Sequence, residues 1–150
     1  MAGHDYDTVL HELLGFKDMD IQLELQQSLD VLLRNEEAFA SKFYDKVFTK
    51  APKVRALFKN NMASQGRLLT HMLGGIVYSM SRPEHLALGL KLLGQSHVRY
   101  GVHQEHYPIV LECLTETIEE ELGEMCNPQL LSAWKQALET VTSEMKRYAK

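Results

Sequence analysis

Apolar residues recur along nearly the whole chain at spacings of three and four, and no stretch of useful length alternates with period two. That pattern admits amphipathic helices and excludes a sheet-based fold. Six stripes can be traced. Ile21, Leu25, Leu29, Leu32 and Leu33 form the first. Phe39, Phe43, Val47 and Phe48 form the second, with Tyr44 beside them, and Leu69, Met72, Leu73, Ile76, Val77 and Met80 the third. Leu86, Leu90, Leu93, His97 and Tyr100 make the fourth, and Tyr107, Val110, Leu111, Leu114, Ile118 and Leu122 the fifth. Trp134, Leu138, Val141, Met145 and Tyr148 complete the set. Pro52, Pro83, Pro108 and Pro128 each stand where a helix can open, a position at which the missing N–H costs nothing. Ser81 and Asn127 are good N-caps for the helices after them. Gly101 and Gly123 stand where helices can stop. The expected fold is all-α: about six main helices plus a short one from Pro52 to Phe58.

A chain of 150 residues suits one domain. No linker of Gly, Ser or Pro divides it. Residues 18–150 read as that domain, and residues 1–17 as an N-terminal extension. Val9, Leu10, Leu13 and Leu14 give the extension a short amphipathic character that could add one more helix. The formal charge is −4, so no basic excess is available to grip phosphate backbones, and nucleic acid is not an expected partner. No apolar run approaches the roughly 20 residues that span a bilayer; the longest, Leu68 to Met80, is broken by His71. The start of the chain lacks a basic region followed by an apolar run, so the expected location is the cytoplasm, with Cys113 and Cys126 as reduced thiols.

The informative residues are polar ones on apolar stripes. His97 follows Leu86, Leu90 and Leu93 and must point inward. Gln65, four residues before Leu69, faces the core side of the third stripe. Burying such groups without partners costs about 1–3 kcal/mol each, so each needs a reason. His97 can be a core histidine bonded to a backbone carbonyl, or a metal or cofactor ligand. Tyr44 can be a core aromatic with its hydroxyl at the rim. His97, His103 and His106 are spaced by six and three across Gly101, which is not a zinc pattern. The acidic run Glu119-Glu120-Glu121, and Glu24, Glu36 and Glu37, read as solvated helix faces. Phosphate-binding glycine motifs and a nucleophile elbow are missing.

Several ordered segments then stand out. Phe43-Tyr44-Asp45-Lys46-Val47-Phe48 precedes Ala51-Pro52-Lys53-Val54-Arg55-Ala56-Leu57-Phe58. Ser64-Gln65 opens the third helix. Leu93-Gly94-Gln95-Ser96-His97-Val98-Arg99-Tyr100-Gly101-Val102 leads to His106-Tyr107-Pro108-Ile109-Val110, and Ala133-Trp134 marks the last helix. Together, over roughly residues 20–150, they resemble a globin, and more narrowly the haem domain of the flavohaemoglobins and the bacterial single-domain haemoglobins. The resemblance implies a globin fold around haem b (iron protoporphyrin IX). It implies His97 as proximal ligand of the iron and Phe58 stacked on the porphyrin. Tyr44 and Gln65 would be the distal pair around a bound gas, with Leu69 as the apolar wall. Leu93 would lie on the facing apolar stripe, with Val102 and Tyr107 lining the proximal side. Dioxygen, nitric oxide and carbon monoxide are the implied ligands.

Two features depart from the flavohaemoglobins. Their last helix carries a glutamate that bonds the proximal tyrosine and histidine. Counted from Trp134 without gaps, its place falls on Ala149, and Glu144 lies one to two turns too early. No flavin- or nicotinamide-binding pattern follows the last helix, so electrons would come from a separate reductase. The expected function is reversible dioxygen binding, for storage, delivery or nitric oxide detoxification with that reductase. An enzyme proper, a nitric oxide dioxygenase, is the second reading. A cofactor-free helical interaction module is the third.

Overall fold

The computed structural model describes residues 19–58, 61–80, 82–99 and 101–147. The extension 1–17, with Tyr100, Tyr148 and Ala149, lies outside the described residues. Among these residues, six α-helices follow one another: α1 Met19–Arg34, α2 Glu36–Lys50, α3 Met62–Tyr78, α4 Pro83–Arg99, α5 His106–Leu122 and α6 Pro128–Arg147. Two 3-10 turns, Pro52–Leu57 and Gly123–Met125, serve as connectors. Among the described residues there is no strand.

The helix boundaries follow local chemistry. Pro83 and Pro128 are the first residues of α4 and α6. The Asn127 side-chain oxygen accepts the Leu130 N–H at 2.8 Å and caps α6. α3 starts two residues earlier than Ser64-Gln65 suggests, because the Asn61 side chain accepts the N–H groups of Ala63 and Ser64 at 2.7 and 3.4 Å. Gly101, beyond the end of α4, has φ +88°, a left-handed conformation that glycine adopts without a Cβ penalty.

α2 packs on α3 and α5, and α6 packs on α4, α5 and α1. At the α2–α3 crossing the backbones come close: a methyl group at Gly66 would lie 2.8 Å from the Ala40 Cβ. Trp134, fully buried, donates its indole N–H to Ser28 Oγ at 3.0 Å, and Ser28 donates to the Leu25 carbonyl at 2.9 Å. A buried polar pair thus joins α1 to α6 inside an apolar core. On the outer face, Lys46 reaches Glu120 and Lys50 reaches Glu112, each at 2.8 Å, and Lys42 pairs with Glu121.

The acidic residues are therefore not all solvated faces. Glu119 and Glu120 are exposed, but Glu121 is tucked against α2. Glu36 accepts a 2.6 Å bond from the buried Thr70 hydroxyl, and Glu24 holds one carboxylate oxygen buried without a partner. Long-range packing, which periodicity does not encode, draws them in. Cys113 is a buried core filler and Cys126 is half-buried after the 3-10 turn; both are free thiols. No helix among the described residues is long and apolar enough to cross a membrane.

The buried apolar side chains divide into two clusters. The larger gathers α1, α2, α3, α5 and the first half of α6, and includes Tyr44 and Leu69. The smaller, around α4, holds Ile76, Leu86, Leu90, Tyr107, Val141 and Met145. Half-buried Met72 and Met80 touch both. α3 and α4, consecutive in the chain, make few close backbone approaches among the described residues. α3 nevertheless contributes to both clusters: Leu69, Leu73 and Val77 lie in the larger, and Ile76 lies in the smaller with Leu86 and Leu90 of the helix that carries His97.

Candidate functional site

On α4, the His97 ring is half-buried and its Nδ1 lies 2.8 Å from the Leu93 carbonyl oxygen. A carbonyl only accepts, so Nδ1 carries the proton and donates it. Nε2 then carries a lone pair. Burial lowers the His97 pKa below that of an ordinary imidazole, partly offset by the Leu93 carbonyl. The ring is thus neutral, in one tautomer and held in orientation, which is the state a metal-ligating histidine requires. The first of the two readings from the sequence, a core histidine bonded to a backbone carbonyl, is what the structure shows, and that bond occupies Nδ1 and leaves the Nε2 lone pair.

Around it stand Leu93 and Val102, half-buried and packed against the smaller cluster, and Tyr107. The Tyr107 ring lies 6.3 Å from that of His97. Its hydroxyl is buried without a hydrogen-bond partner, and burial raises its pKa. The Lys146 ammonium sits 5.9 Å from the Tyr107 ring centre, within cation–π range. Glu144 is buried on α6, but its Oε1 accepts from Arg147 at 3.0 Å. Since the Tyr107 hydroxyl has no partner, no carboxylate relay runs through it among the described residues.

The other group centres on Tyr44 of α2. Its ring is enclosed by Phe43, Phe48 and Phe58, with centroids at 4.9, 6.0 and 5.2 Å. Its hydroxyl donates to the Gln65 backbone carbonyl at 3.3 Å, in the first turn of α3. That is long for an O–H···O bond. Burial pushes the phenol up to about 12, so it holds its proton at any ordinary pH. Gln65 is half-buried and Leu69, one turn further on, is buried. Phe58 is half-buried at the exit of the Pro52–Leu57 turn. The structure thus brings Tyr44, Gln65 and Phe58 together, and separately His97, Leu93, Val102 and Tyr107.

The enclosing role of Phe43 and Phe48 was not apparent from the sequence, where they count only as core. The clustering of aromatics at 43, 44 and 48 was the available signal. The three histidines do not converge: His103 and His106 face each other at 5.5 Å, whereas His97 lies by Tyr107. No group of three His, Cys, Asp or Glu among the described residues could hold a metal ion.

These residues fit a flat apolar cofactor with one metal. Phe58, Leu93, Val102, Met72 and Met80 are apolar yet only half-buried by protein; Phe58 packs on the larger cluster, Leu93 and Val102 on the smaller, and the two methionines on both. The neutral, oriented His97 lies by Tyr107 of the smaller cluster, and the protonated Tyr44 phenol lies in the larger.

A globin family profile matches residues 41–145. An uncharacterized globin-like protein of Aquifex aeolicus is 30% identical over 132 residues, covering 83% of this chain and 92% of that one. A flavohemoprotein of Rhizobium meliloti is 34% identical over 130 residues, but this chain spans only 31% of it. Among solved structures, an engineered carbene transferase, RmaNOD of Rhodothermus marinus, superposes with TM-score 0.75 at 28% identity, covering 86% of this chain and 90% of that one. A bacterial globin from Campylobacter jejuni gives TM-score 0.71 at 25% identity, over 87% and 93%. The chain belongs to the globin family, and its all-α architecture is the globin fold.

Proposed function

We propose that this chain is a haem b protein that binds dioxygen reversibly, with His97 as the iron's protein ligand and Tyr44 and Gln65 facing the bound gas. The observation that carries the reading is the His97 ring, with Nδ1 committed to the Leu93 carbonyl and Nε2 left with its lone pair. Haem held this way would supply iron with one open coordination position, where a diatomic gas can bind. The chain's own residues would do the rest. Phe58, Leu69, Leu93 and Val102 would cover the porphyrin faces and exclude water. Tyr44 would keep its proton and direct it to the ligand, and the Gln65 amide would be a second donor. Such bonds to a partly charged partner are worth about 1.5–3 kcal/mol each.

Similarity to RmaNOD, named as a nitric oxide dioxygenase, supports a second reading, turnover of nitric oxide in the cytoplasm with electrons from a separate reductase. Assays with and without a reductase separate the two. The visible spectrum of the protein loaded with haemin tests both at once. We expect a strong Soret band that His97→Ala abolishes or greatly weakens, whereas replacing the other histidines leaves it. A protein that stays colourless with haemin would instead be a helical interaction module. Retention of an unchanged ferrous spectrum by His97→Ala would overturn the ligand assignment.

A further inference from the structure

We infer that Gly94 is a positioning residue: it lets the backbone of α4 rest directly on the backbone of α6 at Met145, and this contact fixes the turn that aims His97. Gly94 is buried in the middle of a helix, where glycine is a poor helix former and needs a packing reason. A methyl group added there would lie 2.6 Å from the Met145 carbonyl oxygen and 3.1 and 3.2 Å from its Cα and carbonyl carbon. All three atoms are backbone, so no side chain can turn aside to make room.

Gly94 is next to Leu93, whose carbonyl holds the His97 Nδ1 at 2.8 Å, and is one turn before His97. The brace, the hydrogen-bond acceptor and the imidazole therefore share a single turn of helix. Leu90, Tyr107, Val141 and Met145 pack around it in one buried cluster. Gly89, on the same helix, is an internal contrast: a methyl group there would meet nothing within 4 Å. The small residue is thus required at one of the two positions. Among the described residues, α6 bonds the Tyr107 hydroxyl through no carboxylate; beside the Lys146 ammonium over the Tyr107 ring, its part on this side is mechanical: it sets where the imidazole stands.

The inference rests on the reading of His97 as the haem ligand, and the test keeps the two apart. The parent, Gly94→Ala and Gly89→Ala proteins are loaded with haem. Their ferrous iron–histidine stretch is recorded by resonance Raman, together with the rate of haem loss to an excess of a haem-binding apoprotein. A parent without a histidine-ligated haem spectrum removes the functional reading, and this proposal with it. Given that spectrum, the Gly94→Ala band should shift or broaden and haem should leave about tenfold faster or more, as when an outer-shell partner of a metal ligand is lost. Gly89→Ala should match the parent. The same substitution is then made in a His97→Gly background with imidazole supplied as the ligand. There the iron–imidazole band should not move, because the ring is no longer attached to α4. An unmoved band in Gly94→Ala overturns the proposal, and so does an equal shift with free imidazole, which would mean general disruption of the pocket. Should Gly94→Ala not fold, Met145→Ala keeps the contacting backbone atoms but removes the buried side chain that seats this stretch of α6, so the contact can shift and the band must shift with it; a band like the parent's overturns the proposal equally.

Discussion

Replacing Tyr44 with Phe deletes one hydroxyl and keeps the ring that Phe43, Phe48 and Phe58 enclose. In the structure that hydroxyl makes a single bond, at 3.3 Å, to the Gln65 carbonyl. The bond is too long to be strong, so turning the proton to a bound ligand would forfeit little. If the acceptor is dioxygen carrying partial negative charge, losing the donor costs about 1.5–3 kcal/mol, a roughly ten- to hundredfold rise in dissociation rate. Stopped-flow displacement measures it. Carbon monoxide carries much less charge when bound and should be affected less. Gln65→Leu should act in the same direction, and the double variant need not be additive, because two donors share one acceptor. Oxygen release within twofold of the parent in both single variants would refute the distal network and the high affinity expected from it. The same hydroxyl carries a pH signature. Its pKa rises from 10.0 to about 12 on burial, so above pH 10 the unfolded chain releases a proton that the folded chain keeps. Fewer protons on the unfolded state mean that stability falls as pH rises, through the window from 10 to about 12. At about 1.4 kcal/mol per unit the loss approaches ~3 kcal/mol, and Tyr44→Phe should be spared it in chemical denaturation at alkaline pH.

Ser28→Ala should cost about 1–3 kcal/mol in urea denaturation, because it leaves the buried Trp134 indole N–H without its acceptor. Gly66→Ala places a methyl group 2.8 Å from Ala40 and should cost about 1–3 kcal/mol by overpacking the α2–α3 crossing; a neutral result would mean that the helices part without penalty. Glu144→Gln should leave the iron–histidine stretch unchanged, since its carboxylate contacts Arg147 and the Tyr107 hydroxyl is unpartnered. The parent frequency should itself fall below that of the flavohaemoglobins, with slight peroxidase activity, and a band as high as theirs would reveal a proximal acid at work.

Helical periodicity alone specified the all-α class, and the inward aim of His97 and Gln65 followed from their places on the leucine stripes. Asn127 and the prolines could be read as helix starts because capping is a local bond between a side chain and a backbone three residues on. These inferences succeed because helices are short-range objects. Tertiary structure alone decided which inward-facing residues meet. Only the packing of α2 beneath the start of α3 brings the Tyr44 hydroxyl to the Gln65 carbonyl, 21 positions away. Glu121 and Glu36 look like solvated charges along their own helices and become partners of Lys42 and Thr70 when other helices arrive. Glu144 falls on an inward face and its carboxylate takes Arg147, an i,i+3 neighbour that helical spacing offers; that it does not reach the Tyr107 hydroxyl instead is decided by packing. Gly94 is a mere absence of side chain in the sequence; its meaning lies in the backbone of α6 that occupies the space. Periodicity records which way a residue faces, and the direction is set within one turn of helix. What it faces depends on the crossing of distant helices, which follows from how all the side chains fill space together.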